Sequence, residues 1–201
     1  MPDDYLKLIL KAPVYDIARE TRLDHAPELS RRLDNTVWIK RENTQLVFSY
    51  KIRGAYNLMV TLSSDERARG VVTASAGSQA QGVAMAAARL KIAATIVMPN
   101  TTPEIKIVAV RRLDADIVLH GNTYDEASEH AHVLAKNVGA VYIPPYDHPL
   151  VIAGQGTVGT EILRQHPSDI DAIFVPVGGE ASSWYWRLCK STGPQDSCDR
   201  R

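Results

Sequence analysis

Short apolar runs rich in β-branched residues alternate along this chain with segments of helical period, and that alternation is its strongest constraint. Thr36–Lys40, Val71–Ser75, Ala93–Pro99, Asp116–His120 and Ala140–Pro144 read as strands, and Ala172–Val177 is a further candidate. Between them, Lys51–Leu62, Gln79–Leu90, Glu104–Leu113, Tyr124–Asn137 and Gly156–Gln165 carry helical spacing. Strands alternating with helices of this length predict an α/β fold with a parallel sheet covered on both faces. Ligands of such sheets sit where strands turn into helices, at the strands' carboxyl ends. The turns after Lys40, Ser75, Pro144 and Val177 are therefore the places to search.

Charge narrows the function. Lys plus Arg and Asp plus Glu both total 23 in 201 residues, so the formal net charge is zero. Nucleic-acid binders usually carry a basic excess or stripe, so none is expected as a partner. No apolar run approaches the roughly 20 residues needed to span a bilayer. The start, Met1-Pro2-Asp3-Asp4, lacks the basic-then-apolar order of a signal peptide. A soluble cytoplasmic protein is the expectation. Cys189 and Cys198 make no disulfide framework, and nothing near them has zinc-ligand spacing, so no metal is expected.

Three constellations carry chemistry. In Ser49-Tyr50-Lys51-Ile52-Arg53-Gly54-Ala55, Lys51 falls at or near a helix start. The positive helix end and Arg53 both disfavour an ammonium there, so its pKa should fall. A neutral lysine is what imine formation with an aldehyde cofactor needs. The plain alternative is a surface lysine opening an amphipathic helix, and seven other lysines compete. In Thr73-Ala-Ser75-Ala76-Gly77-Ser78-Gln79-Ala-Gln81-Gly82, a strand ends in a small-residue loop before a helix. Its backbone N–H groups suit a carboxylate; the alternative is an ordinary turn with Ser78 as N-cap. In Val175-Pro-Val-Gly178-Gly179, two glycines after a buried strand suit a phosphate nest or simple turn chemistry.

Other signals weigh less. Gly154-Gln-Gly156-Thr-Val-Gly159 has dinucleotide-fold spacing, but the pattern alone is weak, and helix-start chemistry is the preferred reading. A nicotinamide-binding module remains the least favoured alternative. His130 and His132 are two apart on a helix and point to different faces. Residues 180–201, with Trp184, Trp186 and both cysteines, show neither period.

Together, Lys40-Arg-Glu-Asn43 through Val47-Phe48-Ser49-Tyr50-Lys51-Ile52-Arg53-Gly54-Ala55-Tyr56-Asn57 resembles the cofactor-lysine segment of the threonine dehydratases. Thr73–Gly82 resembles their Thr-Ala-Ser-Ala-Gly-Asn-His-Ala-Gln-Gly segment, and Ala153–Gly159 also looks like theirs. The resemblance runs from about residue 4 to 179, and the Val-Phe-Ser-aromatic-Lys form points to the biosynthetic branch.

The resemblance implies the fold type II architecture of pyridoxal-phosphate (PLP) enzymes, tryptophan synthase β-like, with three-layer parallel sheets. On this pattern 56–152 form a complete small α/β lobe, and 1–55 with 153–179 an incomplete large catalytic lobe. It implies conversion of L-threonine to 2-oxobutanoate and ammonia, the first step of isoleucine biosynthesis, with L-serine as a second candidate substrate. Lys51 would form the internal imine with PLP and then abstract the α-proton. Phe48 would pack near the cofactor ring and Ser78 would meet the ring hydroxyl. Ser75, Ala76, Gly77, Ser78 and Gln79 would hold the substrate carboxylate, and Gly178 and Gly179 would begin the phosphate loop. Intact family members are expected to be homo-oligomers.

Three departures qualify this. The family's Asn is Ser78 and its His is Gln79. Its Gly-Gly-Gly-Gly-Leu loop reads Gly178-Gly179-Glu180-Ala181-Ser182, which sets a carboxylate beside a phosphate dianion and blocks close backbone approach. The rest of the large lobe and the regulatory domain are expected to be absent, and 180–201 reads as out-of-frame translation. Gly-Glu-Ala-Ser-Ser can be written GGG GAG GCC TCA TCN, and one frame back the same bases give Gly-Gly-Leu-Ile. Gene sequencing would sink this if the other frame did not continue the enzyme. A catalytically inactive fragment stands as the alternative to the lyase, and a chain with an open sheet edge is expected to be poorly soluble or to survive by association.

Overall fold

Four strands form the parallel sheet on which the rest of the molecule is hung. The computed structural model describes residues 5–166 and 170–175. In chain order these hold α1 (Tyr5–Lys11), β1 (Leu23–His25), α2 (Pro27–Leu33), β2 (Trp38–Lys40), α3 (Lys51–Met59), α4 (Ser64–Arg69) and β3 (Val71–Ala74). Then follow α5 (Ser78–Leu90), β4 (Ala94–Met98), α6 (Glu104–Arg111), β5 (Asp116–Leu119), α7 (Tyr124–Val138), β6 (Val141–Tyr142) and α8 (Pro149–Gln165). The sheet order is β5-β4-β3-β6, every neighbour parallel. β3 thus lies inside the sheet, and the loop after it opens where a doubly covered sheet receives ligands.

Both faces of the sheet are covered. Val71, Ala94, Ile96 and Met98 pack with α3 and α5 through Ile52, Met59, Val83 and Ala87. Val72, Ala74 and Val97 face the other way, onto Ala127, Ala131 and Ala135 of α7. Those alanines recur every fourth residue, so one smooth stripe of the helix meets the sheet. Thr123 and Glu126 close a capping box at the start of α7, and Ser63 and Glu66 do the same for α4. Each box satisfies backbone N–H groups that a helix start leaves unpaired.

Four sequence expectations shift. Thr36–Lys40 contributes β2, but β2 pairs antiparallel with β1, Asp24 opposite Ile39, outside the parallel sheet. Among residues 172–175 no strand forms, because no neighbouring strand lies beside them among the described residues; Phe174 is 96% exposed. The rest of that candidate strand, and all of 180–201, fall outside the described residues. α3 ends at Met59 instead of Leu62. Finally, α8 starts at Pro149 and not at Gly156. Proline suits the first helical turn, whose N–H groups lack partners anyway.

That last difference explains the glycines. Gly154 and Gly156 sit inside α8 because close neighbours leave no space for side chains. A Cβ on Gly154 would lie 2.6 Å from the carbonyl oxygen of Arg53 in α3, and one on Gly156 would lie 2.6 Å from Ile9 in α1. These glycines are a helix-crossing device, and no nucleotide loop exists at this position.

A cavity of about 990 Å³ opens beneath β1 and β2, lined by Leu33, Trp38, Ile39, Ile162 and Phe174 among others. Its lining includes neither Lys51 nor the Ser75–Gln79 turn. It is a mainly apolar groove that borders the candidate site through Tyr50.

Candidate active site

Lys51 is the first residue of α3, and its side chain is buried. Its main-chain N–H donates to Ser49 Oγ at 3.3 Å, fixing the entry to the helix. Its Nζ donates to the carbonyl oxygen of Pro145 at 2.9 Å. The Tyr146 and Tyr50 rings lie 4.2 and 5.4 Å from Nζ. Burial lowers the Lys51 pKa from 10.5 to about 8, partly opposed by the negative charge of Asp147. Taking a charge out of water favours the neutral amine.

The fall in the lysine's pKa is as expected, but its cause is not Arg53. The Arg53 guanidinium is fully buried and spent on partners. Its Nη1 donates to Glu161 Oε1 at 2.6 Å and Thr157 Oγ1 at 3.0 Å. Its Nη2 donates to Glu42 Oε1 at 2.8 Å and Arg19 O at 3.0 Å, and its Nε donates to Glu42 Oε2 at 3.0 Å. All the N–H donors of the fork are used. Lys40 Nζ lies 2.7 Å from Glu161 Oε2, and the Tyr15 hydroxyl donates to Glu161 Oε1 at 2.8 Å. Burial opposes the charge on Glu161, yet the hydrogen bonds and charge of Arg53, with those of Lys40 and Tyr15, hold its pKa below the ordinary value. Burial and the Glu161 carboxylate push the Tyr15 hydroxyl up to about 12. Two cations and two carboxylates thus balance, and Arg53 fastens α3 to α8 and to the turn after β2. Sequence spacing hid this network, because Glu161 is 108 residues from Arg53.

The turn after β3 comes next to Lys51 through α5. A Cβ on Gly82 would stand 3.2 Å from the main-chain carbon of Lys51, so the two helices meet at that glycine. Ser75, Ala76 and Gly77 are half-buried and Ser78 is exposed. Ser75 Oγ accepts the Gly77 N–H at 3.0 Å and shapes the turn. Gly77, not Ser78, is the N-cap; Ser78 is the first helical residue. The main-chain N–H groups of the first helical turn have no carbonyl behind them within the helix. The Gln79 side chain is buried, 4% exposed, with Nε2 donating to Pro144 O at 3.4 Å and Oε1 unpaired. Phe48 is 76% exposed and holds φ +56°, which is unusual for a bulky side chain. Gly178 and Gly179 lie outside the described residues. His130 stacks on His120 and His132 on Tyr142, so the two helix histidines serve different partners. Gln79's turn toward Pro144 and the Arg53 network are features the sequence alone does not display.

A buried amine of lowered basicity at a helix start, beside a turn whose helix start leaves N–H groups open, can hold an aldehyde cofactor. The residues present fit PLP on its aldehyde side: the Lys51 amine is buried and its basicity lowered, as an amine that adds to an aldehyde requires. The chain matches the model of the pyridoxal-phosphate dependent enzymes over residues 14–183, and it belongs to that family. Among relatives, it is 60% identical over 175 residues to a threonine dehydratase of Nicotiana attenuata, covering 87% of this chain and 29% of that protein. It is 50% identical over 176 residues to the biosynthetic L-threonine dehydratase of Salmonella typhimurium, covering 88% and 34%. Of solved structures, the processed threonine deaminase isoform 2 of Solanum lycopersicum superposes with a TM-score of 0.92 at 53% identity, over 96% of this chain and 53% of that one. Maize serine racemase superposes with a TM-score of 0.89 at 30% identity, over 94% and 58%. The fold is that of the fold type II PLP enzymes. The chain spans about a third of the length of the curated relatives it matches.

Proposed function

We propose that Lys51 binds PLP and that the site it serves is that of a threonine dehydratase, converting L-threonine to 2-oxobutanoate and ammonia for isoleucine biosynthesis. The observation that carries the reading is the buried Lys51 Nζ, 2.9 Å from Pro145 O and with its pKa lowered to about 8, in a chain 60% identical to a threonine dehydratase. When bound, PLP supplies an electron sink for the charge left at the substrate's α-carbon. Lys51 Nζ first holds the cofactor and then takes the α-proton, a role suited to an amine with a pKa near the working pH. The turn Ser75, Ala76, Gly77, Ser78 and Gln79 binds the substrate carboxylate through the N–H groups left open at its helix start, those of Ser75 and Gly77 being already given to Val97 O and Ser75 Oγ; Ser78 Oγ reaches the ring hydroxyl, and Phe48 packs against the ring. Gly178 and Gly179, outside the described residues, are the candidates in the sequence for binding the phosphate.

The proposal extends to organisation. Residues 56–152 form the small lobe; 1–55 and 153–179 belong to the large one. L-serine is a second candidate substrate, intact relatives are homo-oligomers, and the cytoplasm is the compartment proposed. The Solanum lycopersicum relatives are named chloroplastic, so cell fractionation is the check on the last point. Among the described residues no helix is long and apolar enough to cross a membrane.

Glu180 and Ala181, standing where the resembled loop has glycines, favour a second reading: a chain that holds the lysine site but turns over no substrate. One experiment addresses both. The purified chain is incubated with PLP, reduced with borohydride and mapped by mass spectrometry, and 2-oxobutanoate release from threonine is assayed in parallel. Cofactor fixed on Lys51 with product formed supports the dehydratase. Cofactor fixed without product supports the inactive chain. No cofactor on Lys51 overturns the proposal.

A further inference from the structure

Three consecutive carbonyl oxygens, those of Ile143, Pro144 and Pro145, are each held by a side chain from a different element. Thr73 Oγ1 of β3 donates to Ile143 O at 2.7 Å. Gln79 Nε2 of α5 donates to Pro144 O at 3.4 Å. Lys51 Nζ of α3 donates to Pro145 O at 2.9 Å. Only the Ile143 N–H is tied into the sheet, to Val72 O at 2.8 Å. Prolines have no N–H, so Pro144 and Pro145 can be gripped only through their carbonyls. Thr73, Gln79, Ile143 and Pro145 are buried, and Pro144 is half-buried.

We infer that Thr73 and Gln79 are positioning residues for Lys51: they fix the Ile143–Pro145 segment as a rack whose last carbonyl parks the lysine amine. Once deprotonated, the amine that gives one hydrogen to Pro145 O keeps its lone pair for an incoming aldehyde. The carbonyl also holds Nζ at one place, so the encounter starts from an ordered nucleophile. This rests on the reading of Lys51 as the cofactor lysine. It gives Gln79 a task distinct from the substrate carboxylate: its side chain serves the rack, while its main-chain N–H stays at the helix start. Releasing the rack lets water reach Nζ, and hydration restores the ordinary basicity of the amine. The groups that face Nζ are the Tyr50 and Tyr146 rings and the Asp147 carboxylate. Thr73 and Gln79, from β3 and α5, do not titrate.

The test reads the free amine and needs no turnover. The whole chain, without PLP, is pulse-labelled with acetic anhydride from neutral to alkaline pH, and Lys51 acetylation is followed by mass spectrometry. The labelling midpoint of the unaltered chain is expected at about 8. In Thr73→Val and in Gln79→Leu the midpoint should rise by about one unit, an about tenfold loss of neutral amine near neutral pH. Thr73→Ser, which keeps the hydroxyl, should restore it. Circular dichroism selects the folded variants, and Gln79→Leu carries the test if Thr73→Val does not fold. Unchanged midpoints in folded variants overturn the inference. Because labelling needs no cofactor, failure of PLP to attach to Lys51 would strike the functional proposal alone.

Discussion

Gly54 and Gly154 meet where α3 crosses α8, so closely that a Cβ on Gly154 would stand 2.8 Å from the Gly54 Cα. A Cβ on Gly54 would in turn lie 2.8 Å from Val151 O. Backbone cannot move aside as a flexible side-chain tip can. Gly154→Ala should therefore destabilise the chain by about 1–3 kcal/mol, the usual cost of overpacking. Denaturant unfolding measures this. Because the crossing is three residues from Lys51, the folded fraction of the variant should also show a raised labelling midpoint for that lysine.

Glu161 is the hub of the buried charges. Glu161→Gln leaves Arg53 and Lys40 short of a counter-charge away from water. Breaking a buried pair from one side costs about 3–5 kcal/mol, and that loss is expected in urea unfolding. The folded-state pKa of Glu161 is depressed, so its contribution is fully present above the ordinary carboxylate range and drains away as pH falls through the lower, folded value. Unaltered protein should thus lose more stability on acidification than Glu161→Gln does.

Lys51 weakens the fold that holds it. Below pH 8 the lysine is protonated in both folded and unfolded chains, and the folded state bears the cost of burying the charge. Between about 8 and 10.5 only the unfolded chain holds the proton, so stability rises with pH across that window. Lys51→Met should raise stability at neutral pH by roughly 2–3 kcal/mol, flatten the rise and abolish PLP attachment. Thermal melts at neutral and alkaline pH check the first two effects.

Phe48 holds a left-handed backbone conformation with an exposed ring. Such a conformation costs a non-glycine residue about 1–2 kcal/mol, partly offset by the greater freedom of an unfolded glycine. Phe48→Gly should accordingly stabilise the free chain by up to about 1 kcal/mol while weakening PLP binding, if the ring packs against the cofactor. Unfolding curves with and without PLP separate the two effects. A gain in stability with unchanged PLP affinity would remove Phe48 from the site.

The parallel sheet was legible because its strands are β-branched runs flanked by turns, and β3, β4 and β5 fall within the runs that alternation marks. β1, α1 and α2 are short segments whose pattern is too brief to announce a period. α4 did carry a signal, the Ser63-x-x-Glu66 capping box, which a search for apolar periodicity passes over. In α8 the glycines conceal a helix, since local propensity disfavours them and only the crossing with α3 explains them. At the site, the helix start at Lys51 could be read from its neighbours in sequence, but its burial could not. The cause of its low basicity could not: Arg53 looks like a repelling charge until Glu161 and Glu42 are seen to neutralise it.

That neutralisation has a consequence for how the chain is born. Glu42 leaves the ribosome eleven residues before Arg53, but Glu161 follows 108 residues after it. At bacterial and eukaryotic translation speeds of about 5–20 residues per second, that is a wait of roughly 5–20 s. During it Arg53 has only Glu42 as an anionic partner of the pair, and α3 has no α8 to cross. Lys51 therefore takes its buried place late, once Pro145 and Tyr146 have been made and α8 can cross α3.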